Sequence, residues 1–492
     1  MKKPFSRNHI NQDLLRVDFW RKIALQKRPP IYVKNTLLFL LSLLIGFAVT
    51  QSLKTAEGIP QEAAYMGGIF VIAAFLWITE ALPLFATALL VIALEVIFIA
   101  NPGGWENMGF SNGESPSYKT LLAPFSDPII YLFLGGFILA QGSVKEGVDK
   151  AHASSLLKIF GGKPLWVMLG FMLVTAVFSM FMSNTATTAM MITLILPILS
   201  TIPKGDKFKK GLVLCIPFAA NIGGMGTPIG SPPNAVAVGF LRSSGFEISF
   251  MQWMIIAVPL ALFLLLFAWL LVWFLYKPTD KGLSIKTEAH AIDARGYFVI
   301  AIFSITILLW LTDYYHKLPS AVVALLPAVA FTSTGIINRT DFNNLEWHIL
   351  MLIAGGIALG LGMKLTGLDQ IIVGLIPDNN TFVFLLLIVT TILLSTFMSN
   401  TAAANLIIPL GISFATMSGF TENTMFYGIG ISLAASLAMA MPISTPPNAI
   451  AYSKGELATS DFIKTGTVIG AVGVLLILFF VERIVNFWLE LL

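Results

Sequence analysis

Charge is what this sequence has least of. Of 492 residues only 11% are Asp, Glu, Lys or Arg, while 56% are hydrophobic. A soluble domain carries about 25% charged residues, so an ordinary water-soluble globule is excluded and a chain made for hydrocarbon is indicated. Cysteine is nearly absent. The single Cys215 rules out an internal disulfide and a cysteine-based metal cluster. Histidine is sparse too: His9, His152, His290, His316 and His348 are scattered at or near the ends of apolar runs, so no histidine metal site is expected. An enzyme would need an acid–base or nucleophilic set, and no His–carboxylate or Cys–His cluster lies at membrane depth. An ion channel would need a continuous polar pore, and no pore-lining periodicity is present.

What is there is a series of apolar runs, each near the roughly 20 residues that cross a bilayer. They fall near 36–53, 65–82, 84–100, 127–144, 211–241, 252–275, 297–312, 319–336, 347–363, 424–452 and 465–481. Two further runs, 165–202 and 381–415, are too long for one crossing and carry polar residues at their centres. Lys163 precedes the first of these, and Lys204, Lys207, Lys209 and Lys210 follow it. Basic residues at both ends place both ends on the cytoplasmic side, so the run reads as a re-entrant hairpin. The second is flanked by Asp378 and Glu422 instead. The expected fold is an all-α polytopic membrane protein of eleven transmembrane helices plus two re-entrant hairpins.

The net charge of +4 is small, but its distribution is lopsided. Lys54, Lys119, Arg242, Lys317, Lys364 and Arg483 fall on segments placed outside, and the rest of the 30 basic residues fall inside. This predicts a cytoplasmic N-terminus and an external C-terminus. Residues 1–35 form a basic tail carrying nine Lys or Arg, read equally as a solvated orientation signal or as an amphipathic segment on the membrane surface. Span 1 and the first repeat occupy 36–276, a polar linker 277–296, and the second repeat 297–492. Amphipathic stretches at 145–163 and 364–380 flank the hairpins and read as lever arms.

The halves repeat. Gly135-Gly136, Leu139, Gly142, Gly147 and Asp149 recur 220 residues later as Gly355-Gly356, Leu359, Gly362, Gly367 and Asp369. Trp77 through Glu80 is echoed by Trp310 through Asp313, and Leu82-Pro83 by Leu318-Pro319. The hairpin centres are Ser183-Asn184-Thr185 and Ser399-Asn400-Thr401; two later spans are broken at Gly230-Ser231-Pro232-Pro233-Asn234 and Ser444-Thr445-Pro446-Pro447-Asn448. An odd number of spans separates equivalent elements, so the repeats have inverted topology. Inverted repeats with paired broken helices point to a secondary transporter with a site near the midplane. Glycine pairs and small polar residues also serve plain helix packing, which is the simpler reading of Gly135-Gly136 and Gly355-Gly356. Glu80 and Asp313, near span ends, read as interfacial or capping residues rather than proton carriers.

Ser or Thr before Pro-Pro is a helix start, with the hydroxyl residue at the N-cap and Pro at the first helical position. Ser183, Ser399, Ser231 and Thr445 therefore begin four half-helices whose free amides and positive dipole ends suit an anion. The candidate anion-binding residues are Ser183, Asn184, Thr185, Ser231, Ser399, Asn400, Thr401 and Thr445. The helix ends that precede the breaks present carbonyls that favour cations. Ser179, Ser183, Asn184 and Gly230 form one candidate oxygen cage, and Ser395, Met398, Asn400 and Ser444 the other; oxygen-only ligation suits sodium.

These motifs resemble those of the divalent-anion:sodium symporter family over roughly residues 36–490. The resemblance implies a homodimer in which a transport domain moves against a scaffold as an elevator, with di- or tricarboxylates held between the two Ser-Asn-Thr tips and sodium beside each. A C4-dicarboxylate such as succinate, malate or fumarate, carried inward with sodium, is the expected activity. Sulfate or citrate transport and sodium-independent exchange remain alternatives. Sodium is the co-transported ion; no organic cofactor and no nucleic-acid partner are expected. The partners are a small anion, sodium, membrane lipid and a second copy, in a bacterial inner (plasma) membrane.

Overall fold

A computed structural model describes residues 30–203, 205–279, 292–376, 380–417 and 424–485. The basic tail before residue 30, most of the 277–296 linker, Lys204, the flanking Asp378 and Glu422, and residues 486–492 lie outside the described residues. All regular structure among the described residues is helical. Apolar segments in hydrocarbon must satisfy their own backbone hydrogen bonds, and the helix does so within one segment.

The helices run α1 (Pro30–Thr55), α2 (Gln61–Thr79), α3 (Leu84–Glu95), α4 (Pro128–Lys145), α5 (Val148–Leu157), α6 (Pro164–Ser179), α7 (Asn184–Thr201), α8 (Lys207–Gly224), α9 (Pro232–Ser243) and α10 (Phe250–Leu275). There follow α11 (Ala294–Leu311), α12 (Ser320–Val323), α13 (Leu325–Ser333), α14 (Trp347–Thr366), α15 (Leu368–Gly374), α16 (Asn380–Phe397), α17 (Asn400–Met417), α18 (Thr424–Ser436), α19 (Pro446–Tyr452) and α20 (Thr459–Leu476). Single turns at Tyr118–Leu122, Asp313–His316 and Arg339–Asn343 fill the connections. Nine helices among the described residues are long and apolar enough to cross a membrane. Several expected spans are interrupted. The 319–336 run divides at Ala324, 84–100 ends in a π turn over Val96–Ala100, and 211–241 and 424–452 divide at their Pro-Pro breaks. The amphipathic 145–163 and 364–380 stretches contain the short helices α5 and α15.

The sequence duplication has a counterpart in the contacts. The Trp77 indole N–H donates to Leu84 O at 3.2 Å, and the Trp310 indole N–H to Ser320 O at 3.0 Å. Gly147 and Gly367, both at positive φ (68° and 72°), turn the chain from α4 into α5 and from α14 into α15. Without a Cβ, glycine enters this left-handed region freely. Helix α3 packs on α14, as α12 and α13 pack on α4. Backbone approach is close at both crossings: a Cβ on Gly355 would lie 2.3 Å from the Ala88 Cβ, and one on Gly135 would lie 2.3 Å from Ala324 O. Small residues at such crossings let helices pack where lipid offers no hydrophobic drive.

The second layer of equivalences surrounds the breaks. Helix α8 packs on α6 as α18 packs on α16. Across the repeats, α7 packs on α19 and α17 on α9, while α8 meets α19 and α18 meets α9. Each helix-turn-helix pair thus sits against the half-helix that begins at the other repeat's break.

Candidate functional site at the helix breaks

Local chemistry places the four helix starts. Ser183 has extended backbone (φ −61°, ψ 138°), and its hydroxyl accepts the Ala186 N–H at 3.3 Å, so α7 starts at Asn184. Its counterpart α17 starts at Asn400, with Ala403 N–H bonded to Ser399 O at 3.0 Å. At the breaks, Ser231 and Thr445 are extended and two prolines fill the first positions of α9 and α19. Proline lacks the N–H that would be unsatisfied there. Thr445 makes the capping bond, accepting Asn448 N–H at 3.3 Å; Ser231 makes no side-chain cap. The tips also differ in burial, because Thr185 is exposed while Thr401 is buried.

The structure brings together Ser179, Asn184 and Gly230 from the first candidate cage. The Ser179 hydroxyl lies 2.6 Å from Asn184 Oδ1 and 2.7 Å from Ala220 O. In this orientation the Asn184 oxygen faces only acceptors; turning the amide directs its nitrogen at Gly230 O (3.1 Å), Ala220 O (3.3 Å) and Ser179 Oγ (2.6 Å). One side chain is therefore ringed by oxygens. A cation among them favours the oxygen-inward amide, and its absence favours the nitrogen-inward one, as the donor inventory of a carboxamide requires. Gly224 and Gly230 close the ring: a Cβ on Gly224 would meet Asn184 Oδ1 at 2.4 Å, and one on Gly230 would meet Gly224 O at 2.6 Å.

The second cage repeats the geometry. Ser395 Oγ lies 2.7 Å from Asn400 Oδ1 and 2.7 Å from Ala435 O. Ser444 takes the place of Gly230, and its hydroxyl donates to Thr396 O at 3.0 Å. Met398 closes the last turn of α16, its N–H on Leu394 O at 2.9 Å. Ser183 stands apart from the first cage's bonds. Its hydroxyl accepts the cap N–H and hydrogen-bonds the half-buried Glu346 carboxyl just before α14.

A set of residues that sequence reasoning missed holds the breaks together. The Asn of each Pro-Pro-Asn turns back onto carbonyls left without helical partners. Asn234 Nδ2 donates to Gly224 O (2.9 Å) and Thr227 O (2.8 Å), and Asn448 Nδ2 to Met439 O (3.0 Å) and Met441 O (2.9 Å). Orphan carbonyls at a helix end need such donors when water is excluded. Asn221 reaches across the repeats to Thr445 Oγ1 at 3.1 Å and Asn448 Oδ1 at 3.4 Å. In the reverse sense Ser432 donates to Asn234 Oδ1 at 2.9 Å, and Ser436 lies 3.5 Å from Ser231 Oγ. The signal that would have found them is the register: Asn221 and Ser436 each follow the carbonyl, Ala220 or Ala435, that receives the cage serine.

Residues 34–492 match the family described as the sodium:sulfate symporter transmembrane region. The chain belongs to this family. It is 32% identical to an uncharacterized transporter of Haemophilus influenzae, over 90% of this chain and 96% of the relative. It is 30% identical to the sodium-dependent dicarboxylate transporter SdcS of Staphylococcus aureus (strain USA300), over 92% of this chain and 91% of the relative. The crystal structure of the YdaH transporter of Alcanivorax borkumensis superposes with a TM-score of 0.53 at 14% identity, covering 85% of this chain and 98% of the other. That last likeness concerns fold alone. This member of the divalent-anion:sodium symporter family is an integral membrane protein, and its family is one of transporters, not enzymes. Ala220 O and Ala435 O belong to the oxygen rings, and the next residues, Asn221 and Ser436, face the helix starts at Thr445 and Ser231.

Proposed function

We propose that this symporter carries C4-dicarboxylates such as succinate, malate or fumarate into the cell together with sodium. The observation that carries the reading is the pairing, made twice, of an oxygen-only ring with a helix N-terminus. Ser179, Asn184, Ala220 O and Gly230 O make one ring, and Ser395, Asn400 and Ala435 O the other. No Lys, Arg or His stands at any of these positions. A dianion crossing hydrocarbon on neutral dipoles alone meets a large desolvation cost, and inward movement also opposes the membrane potential. Sodium in the rings offsets both, while a sodium-independent exchanger would be expected to place a fixed positive side chain there.

In this reading Ser183, Asn184, Thr185, Ser399, Asn400 and Thr401 receive the two carboxylates, with Ser231 and Thr445 adding hydroxyls. Eleven spans and two hairpins, α6–α7 and α16–α17, form two inverted repeats in a homodimer. The N-terminus is cytoplasmic and the C-terminus external in a bacterial inner membrane, as the basic-residue asymmetry supports. The hairpins and breaks move as one body against α3, α4, α13 and α14. The name of the related SdcS supports a dicarboxylate; the family description keeps sulfate, a compact dianion, as the second reading.

Uptake of labelled succinate into liposomes tests both. With an inward sodium gradient, uptake is expected to exceed that in choline or under a proton gradient, and excess malate to compete better than sulfate or citrate. Uptake that is the same without sodium removes the coupling. No carriage of succinate, alongside sodium-driven uptake of labelled sulfate, moves the assignment to sulfate.

A further inference from the structure

The two breaks share a sequence pattern but differ at their caps. Thr445 Oγ1 receives two donors, the Asn448 backbone N–H at 3.3 Å and Asn221 Nδ2 at 3.1 Å. A threonine hydroxyl has two acceptor lone pairs and one proton. Both lone pairs are engaged from the protein side, and among the described residues no acceptor is bonded to that proton. The hydroxyl is thereby set as a donor. Ser231 has no such arrangement: it caps nothing with its side chain, and its one side-chain neighbour is the Ser436 hydroxyl at 3.5 Å, either of which can donate. The difference traces to one residue. Asn221 and Ser436 occupy equivalent places, one residue after the carbonyl that accepts the cage serine, but the carboxamide spans the gap to the opposite cap and the shorter serine reaches it only weakly.

We infer that Asn221 is a positioning residue that fixes the Thr445 hydroxyl as an anion donor, making the α19 cap the tighter of the two substrate-binding starts. Asn221 itself is buried, at 1% exposure, and touches the anion only through Thr445. Its amide is held in turn by Asn448 Oδ1, and Asn448 is pinned by Met439 O and Met441 O. The network is preorganised, so binding an anionic oxygen there costs little reordering. The inference rests on the proposed function and adds to it an inequality between the two breaks. It also gives a physical link from the first oxygen ring to the anion, since Ala220 O belongs to the ring and the Asn221 side chain to the cap.

The test is uptake kinetics in liposomes for Asn221→Ser, which copies the residue of the other repeat, for Thr445→Val, and for the pair. A hydrogen bond to a charged group is worth about tenfold or more in affinity, so Thr445→Val is expected to raise the succinate KM by about that much. Asn221→Ser is expected to raise it severalfold, with Vmax and the sodium midpoint at saturating succinate within about twofold. In the Thr445→Val background Asn221→Ser adds nothing further, because its effect passes through the missing hydroxyl. Where Asn221→Ser fails to assemble, Asn221→Ala reads the same quantity: the donor to Thr445 Oγ1 is removed with no charge added, and KM rises. An unchanged KM in Asn221→Ser or in Thr445→Val overturns the inference, as do effects that simply multiply in the pair. A change confined to Vmax and sodium response marks a structural role and overturns it too. Wild-type protein that carries none of succinate, sulfate or citrate fails the proposed function itself, and this inference with it.

Discussion

Gly230 and Ser444 occupy the same place in the two repeats, and only one of them has room for a side chain. A Cβ on Gly230 would lie 2.6 Å from Gly224 O and 3.1 Å from Ser179 O, both main-chain atoms that cannot swing aside. Overpacking of this kind costs about 1–3 kcal/mol. Gly230→Ala should therefore raise the sodium concentration for half-maximal uptake about tenfold or more, because the backbone that must shift carries Gly230 O, an oxygen of the first ring. Ser444→Ala removes one hydrogen bond, to Thr396 O at 3.0 Å, and leaves the backbone as it is. Its expected effect is about fivefold or less, the scale of about 1 kcal/mol for a neutral bond. A sodium titration of uptake for both variants checks the ordering; equal effects would mean that the rings do not differ as described. That serines and asparagines line these rings was legible from their place in apolar runs. Which backbone atoms complete them was not, because carbonyl direction depends on where α8 and α18 end.

At the scale of elements, the crossings of α3 with α14 and of α12 and α13 with α4 are set by Gly355 on Ala88 and Gly135 on Ala324. Gly135 and Gly355 face Ala324 and Ala88, whereas their neighbours Gly136 and Gly356 face Ile229 and Asn405. Gly135→Ala and Gly355→Ala are expected to lower the melting temperature in detergent while leaving the order of competition among succinate, sulfate and citrate unchanged. A shifted anion preference in either variant would place the glycines in the site instead. The helix starts at Asn184, Asn400, Pro232 and Pro446 were legible because capping by Ser or Thr and the fixed φ of proline are local effects. The crossing of α7 onto α19 and α17 onto α9 was not, since it joins elements from opposite halves of the chain that no local pattern links. Asn221 and Ser436 escaped notice for a related reason. They are chemically unlike, so a search for repeated motifs passes over them although their positions match. The division of 319–336 at Ala324 has a local mark that went unread: Pro327 lacks the N–H that would bond Val323 O, so the helix breaks in the turn before it.

For the whole molecule, movement follows from duplication only if the parts that bind are separable from the parts that hold. Two sets of contacts are apparent: α3 with α14 and α4 with α12 and α13 on one side, and the ring of α6–α9 with α16–α19 on the other. The two sets meet where α14 packs on α9 and α17, with Phe240 against Gly360 and Asn405 against Gly356; the first tip adds a small aromatic contact of its own, Phe181 against Phe303 of α11, edge-on with ring centroids 6.1 Å apart. An edge-to-face pair is worth about 0.5–1.5 kcal/mol, little enough to break and reform in each cycle. If the tip travels with the anion while α11 stays, this pair must part. Cysteines at Phe181 and Phe303, in a background where the buried Cys215 is replaced by Ser, place two thiols where a short bifunctional reagent spans them. Treatment is expected to abolish sodium-driven succinate uptake while leaving binding of succinate to the solubilised protein intact, because the rings and caps are untouched by the link. The single-cysteine proteins, treated alike, should keep their uptake. Full uptake in the linked protein means that the tip and α11 move together or not at all, and the elevator is then the wrong motion for this chain, whatever anion it carries.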